Sequence, residues 1–569
     1  MVDVVLRITL GLFVKKARSL LCEKLKDGGL NSQELRRLIM SNLQDIQTQL
    51  TGLARGNLLT SASNLQEGLR LLDASVPDEP NTLTLPLQQD DKTSKLDQGS
   101  SCRKDSHLDV DAVSGLTEAI DKMKVNSSDH FLSAMESFKN ANTEATKAFH
   151  NEALSVEDRV LATKLRVQSR ILLSLENASL AKEPCRLYLE ELHGLSSIVE
   201  IFHNEFEGGM LALLNKEKRH ELVLSVSAIN VVVFNFLKKF TEAPISLYDW
   251  PNLNKSAYNP LIPDKNICVE LQNSEIKIPG LFVVENVDRN ISKQHINSVT
   301  VNSDGQLFLG TKDFRTGQVT FLKIAVNDVK IHPFQSQHQF FVAIDSYDNI
   351  YVLTDNDCPP EGSDSLVPIP CTLFAFDSKE IETNRFEVGN CGSCDKSALV
   401  PTPDGFVLVN YNEATSAEVA FYRNNGGKAQ RTSSFPIKIS WERLLCTVTN
   451  KYQVVVVEEG GFHVHVYEKD GQVTREFELY GGKDESCVSI AFNYLTEEVV
   501  FVTRVGSWYF LSTYVIESGE RRLSTRLTLF GKISSEDIRY YWKLKSPHLT
   551  SHYKGPMALV SNEYVLYIQ

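Results

Sequence analysis

The chain has 569 residues, of which 42% are hydrophobic and 23% charged, and carries a formal net charge of -13 at pH 7. That balance excludes a multi-span membrane protein, and the acidity weighs against a broad nucleic-acid footprint, which needs clustered Lys and Arg. The length exceeds what one hydrophobic core supports, so roughly three or four modules are expected.

The N-terminal stretch MVDVVLRITLGLFVKKARSLL has an apolar run from Ile8 to Val14 that is too short to span a bilayer, which takes about 20 apolar residues. Asp3 stands where a signal peptide carries basic residues, and Lys15, Lys16 and Arg18 stand where its cleavage site belongs, so no signal peptide is expected. The pattern predicts a helix over 2–26, stopped by Gly28-Gly29, with Leu6, Leu10, Phe13 and Leu20 along one side. Two readings stand beside each other. The helix packs on the next one as a hairpin, or it docks on a partner or a membrane interface with its basic residues against anionic lipid. The second makes Leu10 and Phe13 candidate partner-binding residues and leaves this helix as the route to a membrane.

Asn31 with Glu34 offers a capping start for a second helix, whose stripe is Leu35, Leu38, Ile39, Leu43, Ile46, Leu50 and Leu53. A third helical segment, Leu58 to Leu72, follows a break at Gly56 and completes an N-terminal helical unit over 1–74. Residues 75–107, rich in Pro, Ser and charge, form a disordered linker.

A second helical domain is expected over 108–242. Ala134, Phe138, Ala141, Ala145 and Ala148 give one face small enough for close helix approach, and Ser155 with Asp158 starts the next helix. A further helix, opened by Pro184, runs to Phe206 with a break at Gly194, and another spans Lys216 to Phe240. Its run AINVVVFNFL is ten residues long and interrupted by Asn230 and Asn235, so it is assigned to a core, not to a membrane. The helix spacing resembles helical-repeat scaffolds such as tetratricopeptide repeats, although their pattern does not fit in register. Residues 243–271 form a connector.

From 272 the periodicity changes to alternation. Hairpins are predicted with pivots at Asp304-Gly305, Asp348-Asn349, Asp404-Gly405, Lys451-Tyr452, Thr496-Glu497 and Asn562-Glu563, spaced by 44, 56, 47, 45 and 66 residues. One four-stranded blade per pivot gives a six-bladed β-propeller over 272–569. The last unit runs out after two strands, so the stretch at 273–286 is expected to supply the missing outer strands and close the ring. The fold class is therefore multidomain α plus β: an all-α N-terminal half followed by a six-bladed β-propeller.

The stretch FHVHVYEKDGQVTREFELYGGKDESC, with its strand, Asp470-Gly471, TREF and Gly481-Gly482, resembles a blade of the NHL-repeat propellers of TRIM-NHL proteins. Asp304-Gly305 and Asp404-Gly405 fit the inner turn of that pattern, while Lys451-Tyr452 and Thr496-Glu497 depart from it. The resemblance covers about half the chain and implies a recognition domain. No RING or B-box Cys-His spacing precedes it, so ligase activity does not carry over.

Ten cysteines at irregular spacing make no disulfide scaffold and point to a reducing, cytoplasmic setting. Cys391 and Cys394 lack the strand-to-helix context of a redox pair, and with Cys358 and Cys371 they make a poor zinc set. His463 and His465 share a strand face, which suits an amphipathic strand better than a metal site. A ring of turn aspartates, Asp304, Asp348 and Asp404, is the only hint of a propeller hydrolase with a central metal, and half the blades lack the acid.

The sequence therefore points to a non-catalytic intracellular scaffold that binds no cofactor and no metal. Its helical half serves self-association or assembly and its propeller recognises a protein. The alternatives are the metal hydrolase and an RNA-binding propeller, the latter on Arg521, Arg522, Arg526, Lys543 and Lys545 interleaved with Tyr540, Tyr541 and Trp542. Arg521, Arg522, Tyr541 and Trp542 are the candidate contact residues of the propeller.

Overall fold

A computed structural model describes residues 12, 32–50, 52–75, 128–207, 215–240, 250–253, 258–261, 267, 270–271, 281–283, 294–313, 316, 318–325, 328–332, 334, 340–355, 369–391, 398–413, 416–425, 428–438, 443–527, 547–561 and 564–568. The readings of a first helix, with Leu10 and Phe13, and of a linker beyond Ser75 lie outside the described residues. Contacts divide the chain into two units, Met1–Leu192 with Asn235–Thr241, and His193–Phe234 with Glu242–Gln569.

In the first unit, α1 (Ser32–Gln49) buries Ile39 and Leu43 of the expected stripe. The chain reverses at Gly52, whose φ of 103° only glycine adopts readily, and Gly56 is the first residue of α2 (Gly56–Ser75) instead of the break. The small face of α3 (Ser128–Phe149) is fully buried at Ala134, Phe138, Ala141, Ala145 and Ala148. It meets α2 closely. A Cβ added at Gly68 would stand 2.5 Å from the Phe138 ring, and Ser61 Oγ donates to the Ala141 carbonyl at 2.7 Å.

Helix α4 (Val156–Leu173) is capped by Ser155, whose hydroxyl accepts from the Asp158 N–H, as its spacing predicts. Arg166 of α4 is buried between the rings of Phe149 and Tyr188, 4.7 and 3.9 Å from their centroids, and pairs with Glu191 at 2.6 Å. Glu191 and Tyr188 lie on α5 (Lys182–His193). Asn142 of α3 ties these helices together, donating to the Arg166 carbonyl and accepting from the Tyr188 hydroxyl, both at 2.9 Å.

In the second unit, α6 (Ser196–Phe206) follows the break at Gly194. Helix α7 (Lys216–Phe240) is long and apolar enough to cross a membrane, with a mean hydropathy of 1.6, yet 72% of that window is buried inside the protein. Asn230 shows why the apolar run tolerates a polar residue. Its amide donates to the Val226 carbonyl and His193 Nε2 and accepts from Trp250 Nε1 at 2.7 Å.

Six antiparallel four-stranded sheets then make the six blades of a β-propeller. Blade 1 is β2 (Gln294–Val301), β3 (Leu307–Asp313), β4 (Val319–Ala325) and β5 (Asp328–Ile331). Blade 2 is β6 (Phe340–Ile344), β7 (Ile350–Asp355), β8 (Ile369–Phe376) and β9 (Glu382–Cys391). Blade 3 is β10 (Ala398–Thr402), β11 (Gly405–Glu413), β12 (Ser416–Asn425) and β13 (Lys428–Lys438). Blade 4 is β14 (Leu444–Val448), β15 (Val454–Glu458), β16 (His463–Tyr467) and β17 (Val473–Glu478). Blade 5 is β18 (Glu485–Asn493), β19 (Glu498–Val505), β20 (Trp508–Val515) and β21 (Arg521–Arg526).

Blade 6 combines β22 (His548–Ser551), β23 (Met557–Val560) and β24 (Tyr564–Tyr567) with β1 (Leu281–Val283), which pairs on β24 as Leu281 with Leu566 and Val283 with Tyr564. The ring closes from the expected segment, but with one outer strand, not two. The sixth inner turn lies at residues 552–556, around Gly555 with φ 119°, and not at Asn562-Glu563. Strand β22 has only four residues, too few to show alternation.

The cores lie between blades. Val400, Val409 and Phe435 of blade 3 pack with Val448 and Val456 of blade 4, and Val457 and Val466 of blade 4 with Phe492 and Phe501 of blade 5. A repeated device seals the outer strands. A Cβ at Gly471, in the β16–β17 turn, would stand 2.7 Å from Phe435 of blade 3, and one at Gly519, after β20, 2.8 Å from Phe477 of blade 4.

Candidate functional site

Strands β2, β6, β10, β14, β18 and β22 are the innermost of their blades and line the central channel. They run in the same sense, so their first residues share one end of the channel and the turns that follow them share the other.

At the turn end, side chains knit neighbouring blades. Ser303 donates to Asp348 through its N–H (2.8 Å) and its hydroxyl (2.5 Å), and Ser346 donates to the Pro403 carbonyl. Tyr452 and Arg423 both donate to Asp404, at 2.9 and 2.5 Å, and the Tyr494 ring lies 5.0 Å from Tyr553. His552 of blade 6 reaches past blade 1 to the Asp345 carbonyl of blade 2, at 2.9 Å from its Nε2. Burial pushes the His552 pKa down, so the ring is held neutral for that contact. Asp345 is itself buried, its carboxylate accepting from the Tyr347 and Asn349 N–H groups, the Asn349 amide and the Tyr351 hydroxyl. Two of the three turn acids therefore serve the ring. Asp348 and Asp404 are engaged as described, Asp304 points to solvent, and among the described residues no set of three His, Cys, Asp or Glu could hold a metal.

At the entry end, the innermost edges are finished by serines on bulges. Strand β2 bulges at Asn297, which turns Ser298 onto β6, where its hydroxyl accepts from the Val342 N–H at 2.8 Å and donates to the Val342 carbonyl at 3.3 Å. Strand β18 bulges at Val488 in the same way, and Ser489 accepts from the Leu549 N–H of blade 6 at 2.9 Å. Beside these clasps stand His295, Asn297, Phe341, Arg443 and His548, from blades 1, 2, 4 and 6. His295 Nδ1 bonds to Asn297 Oδ1 at 2.5 Å. Arg443 spans from blade 4 to blade 2, its guanidinium carbon 5.9 Å from the centre of the Phe341 ring. Burial, with His295 and Arg443 beside it, pushes the His548 pKa down to about 3. Arg443 Nε and Asn297 Nδ2 are buried and have no hydrogen-bond partner. Sequence reading did not single out these residues, because they are over 250 residues apart at the extremes and share no local motif.

The residues that the sequence did single out fall elsewhere. Tyr541 and Trp542 lie outside the described residues, as do Tyr540, Lys543 and Lys545. Arg521 and Arg522 both sit on β21, at the outer edge of blade 5. Arg521 stacks on the exposed ring of Tyr480, 3.9 Å from its centroid, and Arg522 pairs with Glu498 at 2.9 Å. Arg526, at the end of the same strand, pairs with Glu207 and lies over the rings of Tyr258 and Trp508, where Tyr258 bridges to the strand. Of these three cations, then, Arg522 and Arg526 are already matched to carboxylates of the fold.

His463 and His465 face Glu478 and Glu476 across the β16–β17 ladder, at 3.4 and 3.1 Å, as members of an amphipathic strand pair. Cys371 is disulfide-bonded and cannot serve as a zinc thiolate, which also departs from the expectation of uniformly reduced cysteines. Cys358 and Cys394 lie outside the described residues. Burial pushes the thiols of Cys185 and Cys446 up to about 12, far from a reactive thiolate.

No family model matches the chain, and no curated protein sequence does. Among solved structures it is similar to the Dos1 propeller, at 12% identity and a TM-score of 0.29 over 48% of this chain and 68% of that one. It is similar also to the β-propeller domain of Cps50 (Swd1) from Myceliophteria thermophila, at 9% identity and 0.29 over 48% and 82%. A luciferin-regenerating enzyme matches at 9% identity and 0.27 over 37% and 70%. The strand order by itself establishes that the C-terminal half of the chain is a six-bladed β-propeller.

Proposed function

We propose that this protein is a non-catalytic assembly and recognition module whose helical half self-associates or binds a partner and whose propeller recognises a second protein through its turn face. One observation carries the reading. Tyr347, Leu495 and Tyr553, on the inner turns of blades 2, 5 and 6, are 70%, 57% and 41% exposed. Large apolar side chains held on rigid turns lose little entropy on binding and are enriched at protein interfaces. Around them the carboxylates of Asp345, Asp348 and Asp404 are occupied by the ring, which weighs against metal chemistry there. The left-handed turns at Gly305 and Gly471 support the finer NHL-type reading, and sparse cysteines support a cytoplasmic site, with the Cys371 disulfide counting against it.

The test is affinity capture with the full chain and with a Tyr347→Ser, Leu495→Ser, Tyr553→Ser variant, scored by mass spectrometry, with light scattering for self-association. Loss of specific partners from a variant that melts like wild type supports the turn face. If the variant retains every partner, or wild type captures none, the reading fails.

A further inference from the structure

We propose that the entry end of the propeller channel binds a small oxyanion, a carboxylate or phosphate group, between Arg443, Asn297 and His548. The inference is independent of the turn face, which lies at the other end of the channel.

A guanidinium is charged at every accessible pH and offers its N–H groups as a planar fork that matches carboxylate and phosphate oxygens. Burying such a donor without an acceptor is costly, and native folds rarely leave one so. Arg443 Nε is buried and has no hydrogen-bond acceptor. The Phe341 ring supports the guanidinium 5.9 Å away and accepts no N–H hydrogen bond in its plane. Asn297 supplies a second buried donor. Its Oδ1 is taken by His295 while Nδ2 has no partner, and the β2 bulge places it beside the Ser298 clasp at the channel wall.

The groups acting on His548 are His295 and Arg443, so an incoming anion meets no competing carboxylate among them.

Full-length wild type, Arg443→Gln and Asn297→Ser are titrated with sodium phosphate, sodium acetate and, at matched ionic strength, sodium chloride, following the melting temperature and the heat of binding. Wild type is expected to show a saturable rise in melting temperature with phosphate, acetate or both, and none with chloride. The arm that saturates names the oxyanion. Arg443→Gln is expected to abolish the response and Asn297→Ser to weaken it about tenfold, the loss of one hydrogen bond to a charged group. No saturable response in wild type, or an equal one in Arg443→Gln, overturns the site. Should Arg443→Gln fail to fold, Asn297→Ser decides, and unchanged affinity there overturns it.

Discussion

His220 shows how one side chain can make stability depend on pH. Its Nδ1 lies 2.9 Å from Glu205 and its Nε2 2.8 Å from Glu270, with Arg219 also on Glu205 at 2.7 Å. Burial disfavours the imidazolium, but the two carboxylates outweigh it and raise the pKa above 6.5. A raised pKa means that the folded state holds the proton more tightly than the unfolded one. The contribution is therefore complete below about 6.5 and is lost as pH climbs through the folded value. Melting temperature against pH, wild type compared with His220→Gln, should show the difference shrink as pH rises above about 6.5, and a difference independent of pH would contradict the clasp. Gly471 makes a second single-residue argument. With φ 89° and Phe435 where a Cβ would go, Gly471→Ala should cost on the order of 2 kcal/mol in denaturant unfolding. A neutral result would mean that blades 3 and 4 separate there freely.

At the level of elements, the helical unit is organised around a buried charge. Arg166 fills the space between Phe149 and Tyr188 and neutralises Glu191, so Arg166→Ala removes packing and leaves the carboxylate facing an apolar gap. Breaking such a pair costs roughly 3 kcal/mol, whereas Arg166→Met, which keeps most of the volume, should cost less than half as much. Urea denaturation of both variants checks the order, and equal losses would mean that the charge dominates over packing. The small face of α3 and the Ser155 cap are legible because each is a local pattern at helical spacing. The use of Gly52 in place of Gly56 was not legible, since both glycines fit a break and only the docking of α2 on α3 fixes which one turns.

For the whole molecule the decisive contact is the three-residue strand β1 on β24. It joins segments about 280 residues apart and removes the free edge of the sixth sheet. Replacing Leu281–Val283 by a Gly-Ser linker should lower the melting temperature and promote aggregation, followed by calorimetry and light scattering. A variant that does not aggregate and keeps its midpoint would show that the edge is covered by other means. The division of the chain follows the same logic. A change of period marks where helices give way to strands, but it carries no information on which body a helix packs against, and His193–Phe234 groups with the propeller.

The sequence by itself determined the helices among the described residues, the alternation, five of the inner turns and the closure of the ring from an early segment, because each follows from spacing along the chain and from the conformational freedom of residues such as Gly305 and Gly471. It could not place the sixth turn, whose strand of four residues is shorter than the pattern needed to see it. Nor could it assemble Arg443, Asn297, His548 and Phe341, which belong to four blades. Arginines of the blades look alike in sequence, yet Arg522 and Arg526 meet carboxylates while Arg443 Nε is buried without a hydrogen-bond partner. That distinction is made only by which blades the ring brings together, since the cost of a buried donor depends on what lies within hydrogen-bond reach in space.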